Sequence, residues 1–236
     1  MGTSRTVLAT PVELAAAYDA LLAPSFPPDE LEDRDHLVAG LRDGSARAFV
    51  RYVDDDRAAI AVTHRVERDD VELLSYLAVG QRWRGTGIGG ALLDDLIDEA
   101  AGASAPRVLL AEIEQAHQPA GRTPWGDPAR RYTFYARHGA RVLELPYFQP
   151  ALRPGFGRVR GMLLLALHVD DRLLTPDGRL RSAPLAEFLR LNLEHCEGAP
   201  PTDAEARALL DLASDPQGVR LLDMGGTAAS RLPSPA

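Results

Sequence analysis

The sequence has no lysine and only one cysteine, Cys196. Its 26 basic residues are therefore all arginine, and no disulfide can form within the chain. Because disulfides are typical of oxidising compartments, this cysteine usage favours a cytoplasmic protein. The missing lysine has two interpretations that composition leaves open: a GC-rich genome, or a protein that avoids reactive side-chain amines.

Long apolar runs and an excess of positive charge are also absent. No run approaches the roughly 18–20 apolar residues that span a bilayer, and no charged N-terminal region precedes an apolar one. The net charge of −8 and the pI near 5.3 differ from the basic surfaces of nucleic-acid-binding proteins. We therefore expect a soluble protein whose partner is neither a membrane nor a nucleic acid.

Hydrophobic periodicity predicts alternating helices and strands over most of the chain. Two helices, the second ending at Gly44, precede a meander of strands with a turn at Asp54–Asp56. A glycine-rich segment then opens an amphipathic helix, and a strand follows it. A further helix, begun by Asp127 and Pro128 and ended by Gly139, leads into two more strands. This order predicts an α/β (α+β) domain.

The α/β pattern ends near residue 170. We expect a domain over residues 1–170, a helical extension over 171–222 and a disordered tail over 223–236. Thr202 and Glu205 predict a capping box at the start of the second extension helix. The extension has three possible roles: to cover a sheet edge, to contact a partner, or to close a substrate site.

The motif "RWRGTGIGG" contains Gly85-x-Gly87-x-x-Gly90, the spacing of dinucleotide-binding loops. In such loops the first glycine directly ends the strand, whereas here five residues, Gly80–Arg84, separate Val79 from Gly85. The match is therefore weak evidence for a nicotinamide cofactor. A loop of this kind suits any diphosphate, because small residues let backbone N–H groups approach it at a helix N-terminus.

The longer string, Arg82-x-x-Gly85-x-Gly87 before a helix, resembles the acyl-CoA loop of the GNAT superfamily of N-acetyltransferases. A second segment, "TFYARHGARVLE", resembles the other signature of that family through Phe134, Tyr135 and Gly139. Ala140 departs from the family pattern, which has an aromatic residue there. The resemblance covers residues 1–170 and implies a mixed, mostly antiparallel central sheet flanked by helices.

The resemblance implies acetyl-CoA as co-substrate and requires no metal. It places the pantetheine arm beside Leu77, Ala78 and Val79. The residues that it implies around the diphosphate are Arg84, Gly85, Thr86, Gly87, Ile88, Gly89 and Gly90. It also implies that Tyr135 is the general acid that protonates the departing CoA sulfur.

The base and the acceptor residues are less closely specified. Glu112 and Glu114 share one face of the strand "RVLLAEIE", and we predict Glu112 as the base and Glu114 as an acceptor residue. Glu72 is an alternative for the base, whereas His117, in the loop after this strand, is typical of a surface histidine. The resemblance implies an acceptor pocket built from the first two helices and the loop between the last two strands. Its candidate residues are Phe26, Glu30, Tyr147, Phe148 and Arg153.

These observations predict a cytoplasmic acetyl-CoA-dependent N-acetyltransferase that acts on a small-molecule or peptide amine. A homodimer is possible. The first alternative is a non-catalytic acyl-CoA-binding regulatory protein on the same fold. The second is a nicotinamide-dependent oxidoreductase.

Overall fold

Two compact units make up the chain. The first comprises Met1–Arg65 and Leu73–Glu99, and the second comprises Val66–Glu72 and Ala100–Ala236. The structure is a computed structural model and describes residues 3–28, 30–66, 70–105, 107–115, 127–152, 157–200 and 202–225. No helix within these ranges is long and apolar enough to cross a membrane.

The strands of the first unit are neighbours in the order β1-β2-β3-β4. They are β1 (Ser4–Leu8), β2 (Ala46–Val53), β3 (Asp56–Arg65) and β4 (Val71–Val79), of which β4 belongs to this unit from Leu73 onward. Strand β2 runs antiparallel to both β1 and β3, and Asp54 makes the turn to β3 with φ +53°, a conformation that aspartate tolerates better than most residues. The predicted meander and its aspartate turn are confirmed, whereas β1 was not predicted.

Helix α1 (Pro11–Ala17) begins with a capping box in which Thr10 and Glu13 exchange hydrogen bonds, and it continues as one turn of π-helix, Tyr18–Leu22. Its apolar side chains pack into the core of the first unit, where each fully buried leucine contributes about 1.5–3 kcal/mol. That core includes Leu14, Leu21, Leu22, Leu37, Val50, Ile60, Val62, Tyr76 and Ala78. The first predicted helix is therefore confirmed.

Helix α2 (Arg34–Asp43) ends at Gly44, which has φ +84° and donates its N–H to Gly40. The predicted stop is confirmed, but the helix begins several residues later than the acidic segment from Asp29 suggested. Glu32 lies outside the helix because its N–H donates to the Tyr76 hydroxyl at 3.1 Å instead of entering a helical turn.

Helix α3 (Ile88–Ala101) follows the glycine loop. Its predicted apolar stripe is buried at Leu92, Leu93, Leu96 and Ala100, while Ile88 and Ile97 are half-buried. On the same helix, the Asp95 carboxylate accepts hydrogen bonds from Arg51 of β2 and Thr6 of β1. The opposite charge of Arg51 holds this carboxylate against the sheet.

The strands of the second unit are neighbours in the order β5-β7-β6-β8, and all three pairs are antiparallel. They are β5 (Val108–Glu114), β6 (Arg141–Leu143), β7 (Met162–Val169) and β8 (Leu221–Asp223). Strand β6 has only three residues. The mixed α/β class with mostly antiparallel pairing is confirmed.

Helix α4 (Pro128–Arg137) begins and ends as predicted. The Asp127 carboxylate accepts the N–H groups of Ala129 and Arg130 at 3.0 and 3.4 Å. Gly139 follows the helix with φ +75°. In the middle of the helix, the Tyr132 hydroxyl donates to the carbonyl of Met224, close to the end of the described chain.

The extension contains helices α5 (Ser182–Glu197) and α6 (Ala204–Ala213), and then β8. The predicted capping box is wrong, because Asp203 rather than Thr202 is the N-cap of α6 and accepts the Ala206 N–H at 3.0 Å. Strand β8 pairs with the outer side of β6, so the extension covers a sheet edge. Within the predicted tail, residues 226–236 lie outside the described ranges.

Candidate active site

In the glycine loop after β4, the backbone conformation requires glycine at two positions. A short 3-10 turn, Gln81–Trp83, precedes Gly85 and Gly87, whose φ angles of +79° and +88° are strained for any other residue. No described atom lies within 4 Å of the Cβ position at either glycine. The loop therefore has open space beside its backbone, as a ligand that approaches backbone N–H groups requires.

At a third position of the loop, close packing requires glycine. A Cβ on Gly89 would lie 2.9 Å from Cγ2 of Val79, which is closer than real Cβ contacts come. The first turn of α3 therefore packs directly on the end of β4. Small residues at this position allow the close helix–strand contact that the diphosphate-binding loops share.

The N-terminus of α3 is suited to a negative charge. The Ala91 N–H donates to the Gly87 carbonyl at 3.0 Å, so the N–H groups of Ile88, Gly89 and Gly90 precede the first intrahelical bond. The first turn carries no acidic residue that would compete for them. The helix dipole adds about half a positive charge at this end.

Arg84 and Thr86 contact the loop itself. Nε of Arg84 donates to the Val79 carbonyl at 3.1 Å, and its Nη2 lies 3.5 Å from the Ser25 hydroxyl. The Thr86 hydroxyl donates to the Trp83 carbonyl at 2.7 Å. Arg84 therefore stabilises the end of β4. The contact with a diphosphate that we expect of Arg84 remains a prediction.

The strand residues predicted beside the pantetheine arm alternate in burial. Ala78 belongs to the core that contains α1 and α2, whereas Leu77 and Val79 are half-buried. Successive residues of a strand face opposite sides, so Leu77 and Val79 share the face opposite to Ala78. Their contact with a pantetheine arm remains a prediction.

Tyr135 is a buried phenol on α4. It is 6% exposed, and its ring packs edge-on against Phe134 with the ring centroids 5.1 Å apart. Burial raises the pKa of Tyr135 to about 12, although Arg131 opposes the shift. The hydroxyl therefore stays protonated through neutral pH, which is the state that a proton donor needs.

Glu112 is held from two directions on β5. The Tyr147 hydroxyl donates to Oε1 of Glu112, and Nε2 of Gln149 donates to Oε2 at 3.0 Å. Burial raises the pKa of Glu112, whereas the two hydrogen bonds lower it. Tyr147 is itself only 2% exposed, and burial and the nearby Glu112 charge raise its pKa. The structure thus unites a predicted base with a predicted acceptor residue.

The other predicted acceptor and base residues are more dispersed. In the second unit, Glu114 pairs with Arg131 at 3.4 Å. Glu72 is buried and pairs with Nη1 of Arg107 at 3.2 Å, an arrangement typical of a structural ion pair rather than a base. Arg153 and His117 lie outside the described residues. Phe148 is fully buried.

In the first unit, Phe26 lies beside a polar cluster that sequence reasoning missed. Its ring packs edge-on against Tyr76 at 5.2 Å, and the Tyr76 hydroxyl donates to Oε1 of Glu32 at 3.2 Å. His64 joins the same carboxylate oxygen at 3.5 Å and the Ser75 hydroxyl at 2.8 Å. Tyr76 therefore links Phe26 to the Glu32 carboxylate, whereas the predicted Glu30 is exposed.

Most of that cluster joins residues that are far apart in the sequence, since Tyr76 is 44 positions from Glu32. One partner is local: Nε2 of His36, four positions after Glu32, lies 3.3 Å from Oε2 of Glu32. The surrounding segment "DELEDRD" contains five carboxylates, so little in the sequence singles out this one.

Comparison with known proteins identifies the family. Residues 12–123 match the model of the acetyltransferase (GNAT) family, a range that includes the glycine loop and Glu112. The resemblance inferred from the sequence is confirmed. This stretch of the chain is thus a GNAT acetyltransferase domain, and the general activity of that family is acetyl-CoA-dependent acetyl transfer.

Solved structures share the fold. An acetyltransferase of the GNAT family from Bacteroides thetaiotaomicron is 25% identical over 69% of this chain and 85% of its own, with a TM-score of 0.53. The ribosomal-protein-S18-alanine N-acetyltransferase from Escherichia coli is 21% identical over 71% and 95%, with a TM-score of 0.50. No curated protein sequence matches the chain significantly. The GNAT-like fold class predicted from the sequence is therefore confirmed.

Proposed function

We propose that this protein transfers an acetyl group from acetyl-CoA directly to a primary amine of a small molecule or a peptide. The observation that carries the proposal is the glycine loop, where Gly85 and Gly87 have positive φ and Gly89 packs on Val79. This backbone suits a diphosphate bound by N–H groups at the start of α3. The confirmed family supports acetyl-CoA as the molecule that carries this diphosphate.

The proposed reaction is a direct displacement. The neutral amine nitrogen attacks the thioester carbonyl, the new C–N bond forms and the C–S bond breaks. Negative charge builds on the carbonyl oxygen, and a backbone N–H of Leu77, Ala78 or Val79 is proposed to stabilise it. The products are an amide and CoA.

Tyr135 is proposed as the acid for the CoA sulfur. Its protonated hydroxyl, maintained by burial, can donate to the thiolate as the C–S bond breaks. A positioned proton donor contributes on the order of 100- to 10,000-fold to a rate. The pair Phe134–Tyr135 followed by Gly139 supports this role through its resemblance to the family signature.

Glu112 is proposed as the base that takes the amine proton. Burial raises its pKa, which makes its ionised form a stronger proton acceptor than an ordinary glutamate. The hydrogen bonds from Tyr147 and Gln149 fix both carboxylate oxygens. A carboxylate held in this way loses little rotamer freedom when it accepts a proton.

The proposal is tested by thermal unfolding followed by an amine-panel assay. Acetyl-CoA is expected to raise the midpoint in a concentration-dependent way, because ligand binding to the folded state stabilises it, whereas NADH is expected to have no effect. The assay then follows free CoA with small amines and with peptide amino termini. Stabilisation by NADH alone would contradict the proposal, and acetyl-CoA binding without turnover on any amine would favour a regulatory protein.

A further inference from the structure

Arg158 uses every N–H group of its guanidinium on the extension. Nε and Nη2 each donate to Glu197 at 2.7 Å, and Nη2 also donates to Asp203 at 2.7 Å. Nη1 donates to Asp203 at 2.8 Å and to Glu205 at 3.1 Å. An arginine has five N–H donors in a fixed plane, so five bonds exhaust them. Arg158 therefore joins the last residue of α5 to the N-cap of α6.

Arg158 also contacts the segment Tyr147–Gln149, which supplies the two hydrogen bonds to Glu112. Its guanidinium lies 4.4 Å from the centroid of the Phe148 ring, and Phe148 stands between Tyr147 and Gln149 in the chain. Val159, the next residue after Arg158, forms both backbone hydrogen bonds of a bridge to Gln149, at 2.9 and 3.0 Å. A short path therefore runs from the extension to both hydrogen-bond donors of Glu112.

The removal of Arg158 would leave its carboxylate partners without most of their neutralising charge. Three carboxylates, Glu197, Asp203 and Glu205, face Arg158, and Arg160 adds a second cation through Glu205 at 2.9 Å. The Arg158 side chain is only 14% exposed, so solvent screens these pairs less than pairs at the surface. Without Arg158, three acidic side chains would remain together with one cation.

We propose that Arg158 is a positioning residue, through which the helical extension holds Tyr147 and Gln149 against Glu112. The extension is then a working part of the acetyltransferase. This inference rests on the proposed role of Glu112, but its structural half, the fixing of the Glu112 carboxylate, can be tested without any transfer reaction.

The first test compares Arg158→Met with Arg158→Lys in the full chain. We expect Arg158→Met to lower kcat by about 10- to 100-fold, because small displacements of catalytic groups have effects of this size. The KM for acetyl-CoA is expected to stay within about twofold, since the glycine loop is not altered. Arg158→Lys should recover only part of kcat, because lysine cannot make five coplanar bonds.

Arg190→Met is the matched control. Arg190 lies on α5 and pairs with Glu187 and Glu194 at 2.9 and 3.0 Å, so it also loses carboxylate partners on substitution. Its side chain is 42% exposed, and no contact links it to Tyr147 or Gln149 among the described residues. Its kcat and KM should equal those of the wild type.

The second test is independent of activity. In protein carrying 13C-labelled glutamate, the Glu112 carboxyl signal, assigned through Glu112→Gln, is titrated in the wild type, Arg158→Met and Arg190→Met. We expect the Glu112 pKa to rise in Arg158→Met only, because the bonds from Tyr147 and Gln149 that lower it are weakened while burial persists. If Arg158→Met does not fold, Asp203→Asn replaces it, since asparagine keeps the N-cap while the charge is lost.

The outcomes are distinct. An unchanged Glu112 titration in a folded Arg158→Met or Asp203→Asn protein overturns the inference. A changed titration, with no transfer to any amine by the wild type, supports the positioning and contradicts the proposed function. A changed titration together with the loss of kcat supports both.

Discussion

Gly89 and Val79 are so close that a Cβ on the glycine would lie 2.9 Å from Cγ2 of the valine. The helix that follows the loop is therefore seated on the strand that precedes it. Gly85 and Gly87 have another reason to be glycine, because both have positive φ and open space beside them. Packing and backbone conformation thus require glycine at neighbouring positions for different physical reasons, and substitutions can separate the two.

Gly87→Ala is expected to weaken acetyl-CoA binding. Alanine at positive φ costs about 1–2 kcal/mol of folding free energy, and its methyl group would occupy the space where a diphosphate approaches the backbone. Gly178→Ala is the matched control, since Gly178 has φ +79° and no described atom within 4 Å of its Cβ position. Both variants should lose similar stability in urea, but calorimetry should show weaker acetyl-CoA binding only for Gly87→Ala. Equal affinities would move the diphosphate site elsewhere.

Tyr135→Phe is expected to lower kcat on the order of 100-fold while acetyl-CoA still binds, because only the proton donor is lost. The alkaline limb of the rate should move as well, since Tyr135, with a pKa of about 12, no longer titrates. Tyr132→Phe on the same helix is the control. It removes the hydroxyl that donates to Met224 and should reduce stability by about 1 kcal/mol with turnover unchanged. Equal turnover in Tyr135→Phe and the wild type would exclude Tyr135 as the acid.

Glu112 is expected to set the acid limb of kcat/KM. A base works only when it is ionised, and burial raises the Glu112 pKa above the ordinary 4.5, so activity should fall as the pH drops through this raised value. Tyr147→Phe removes a bond that lowers the pKa and should therefore move the limb to higher pH. Glu112→Gln should abolish the limb together with most of the turnover.

The control for that profile is Glu144→Gln. Glu144 pairs with Arg220 at 3.2 Å in an exposed position, so its loss should leave the limb in place. A limb that persists unchanged in Glu112→Gln would show that another group accepts the amine proton.

Arg107→Met is expected to be strongly destabilising, because it removes the guanidinium that lies 3.2 Å from the buried Glu72 carboxylate. Breaking a buried pair by removing one member costs about 3–5 kcal/mol. Urea unfolding should show that adding Glu72→Gln restores part of this loss. The exposed pair broken by Arg190→Met should have a far smaller effect, and equal losses in the two variants would mean that Glu72 is solvated.

The sequence predicts best where a local rule acts within one turn or one strand. Gly44 and Gly139 end helices because they adopt positive φ, and Asp127 begins one because its carboxylate caps nearby N–H groups. These effects depend on neighbours a few positions away. The same locality explains why the loop around Gly87 is recognisable from the sequence alone.

Long-range pairs could not be anticipated in this way. Arg158 is 39 to 47 positions from its carboxylate partners, and nothing in either segment specifies the other. The predicted capping box failed for a local reason: the N-cap of α6 is Asp203, one residue later than Thr202, so Glu205 no longer stands at the N3 position. Glu205 pairs with Arg158 and Arg160 instead.

Strand β8 covers an edge of the sheet that a shortened chain would expose. Its three residues cover β6 in the register Arg141↔Asp223, Val142↔Leu222 and Leu143↔Leu221. A chain shortened to residue 170 would keep the predicted α/β domain and the pairing of β6 with β7, but it would leave unpaired the N–H and C=O groups of β6 that face β8. Such an open edge recruits strands from other molecules. Strand β8 therefore keeps this edge of β6 from pairing with other molecules, and a chain that ends at residue 170 is expected to aggregate.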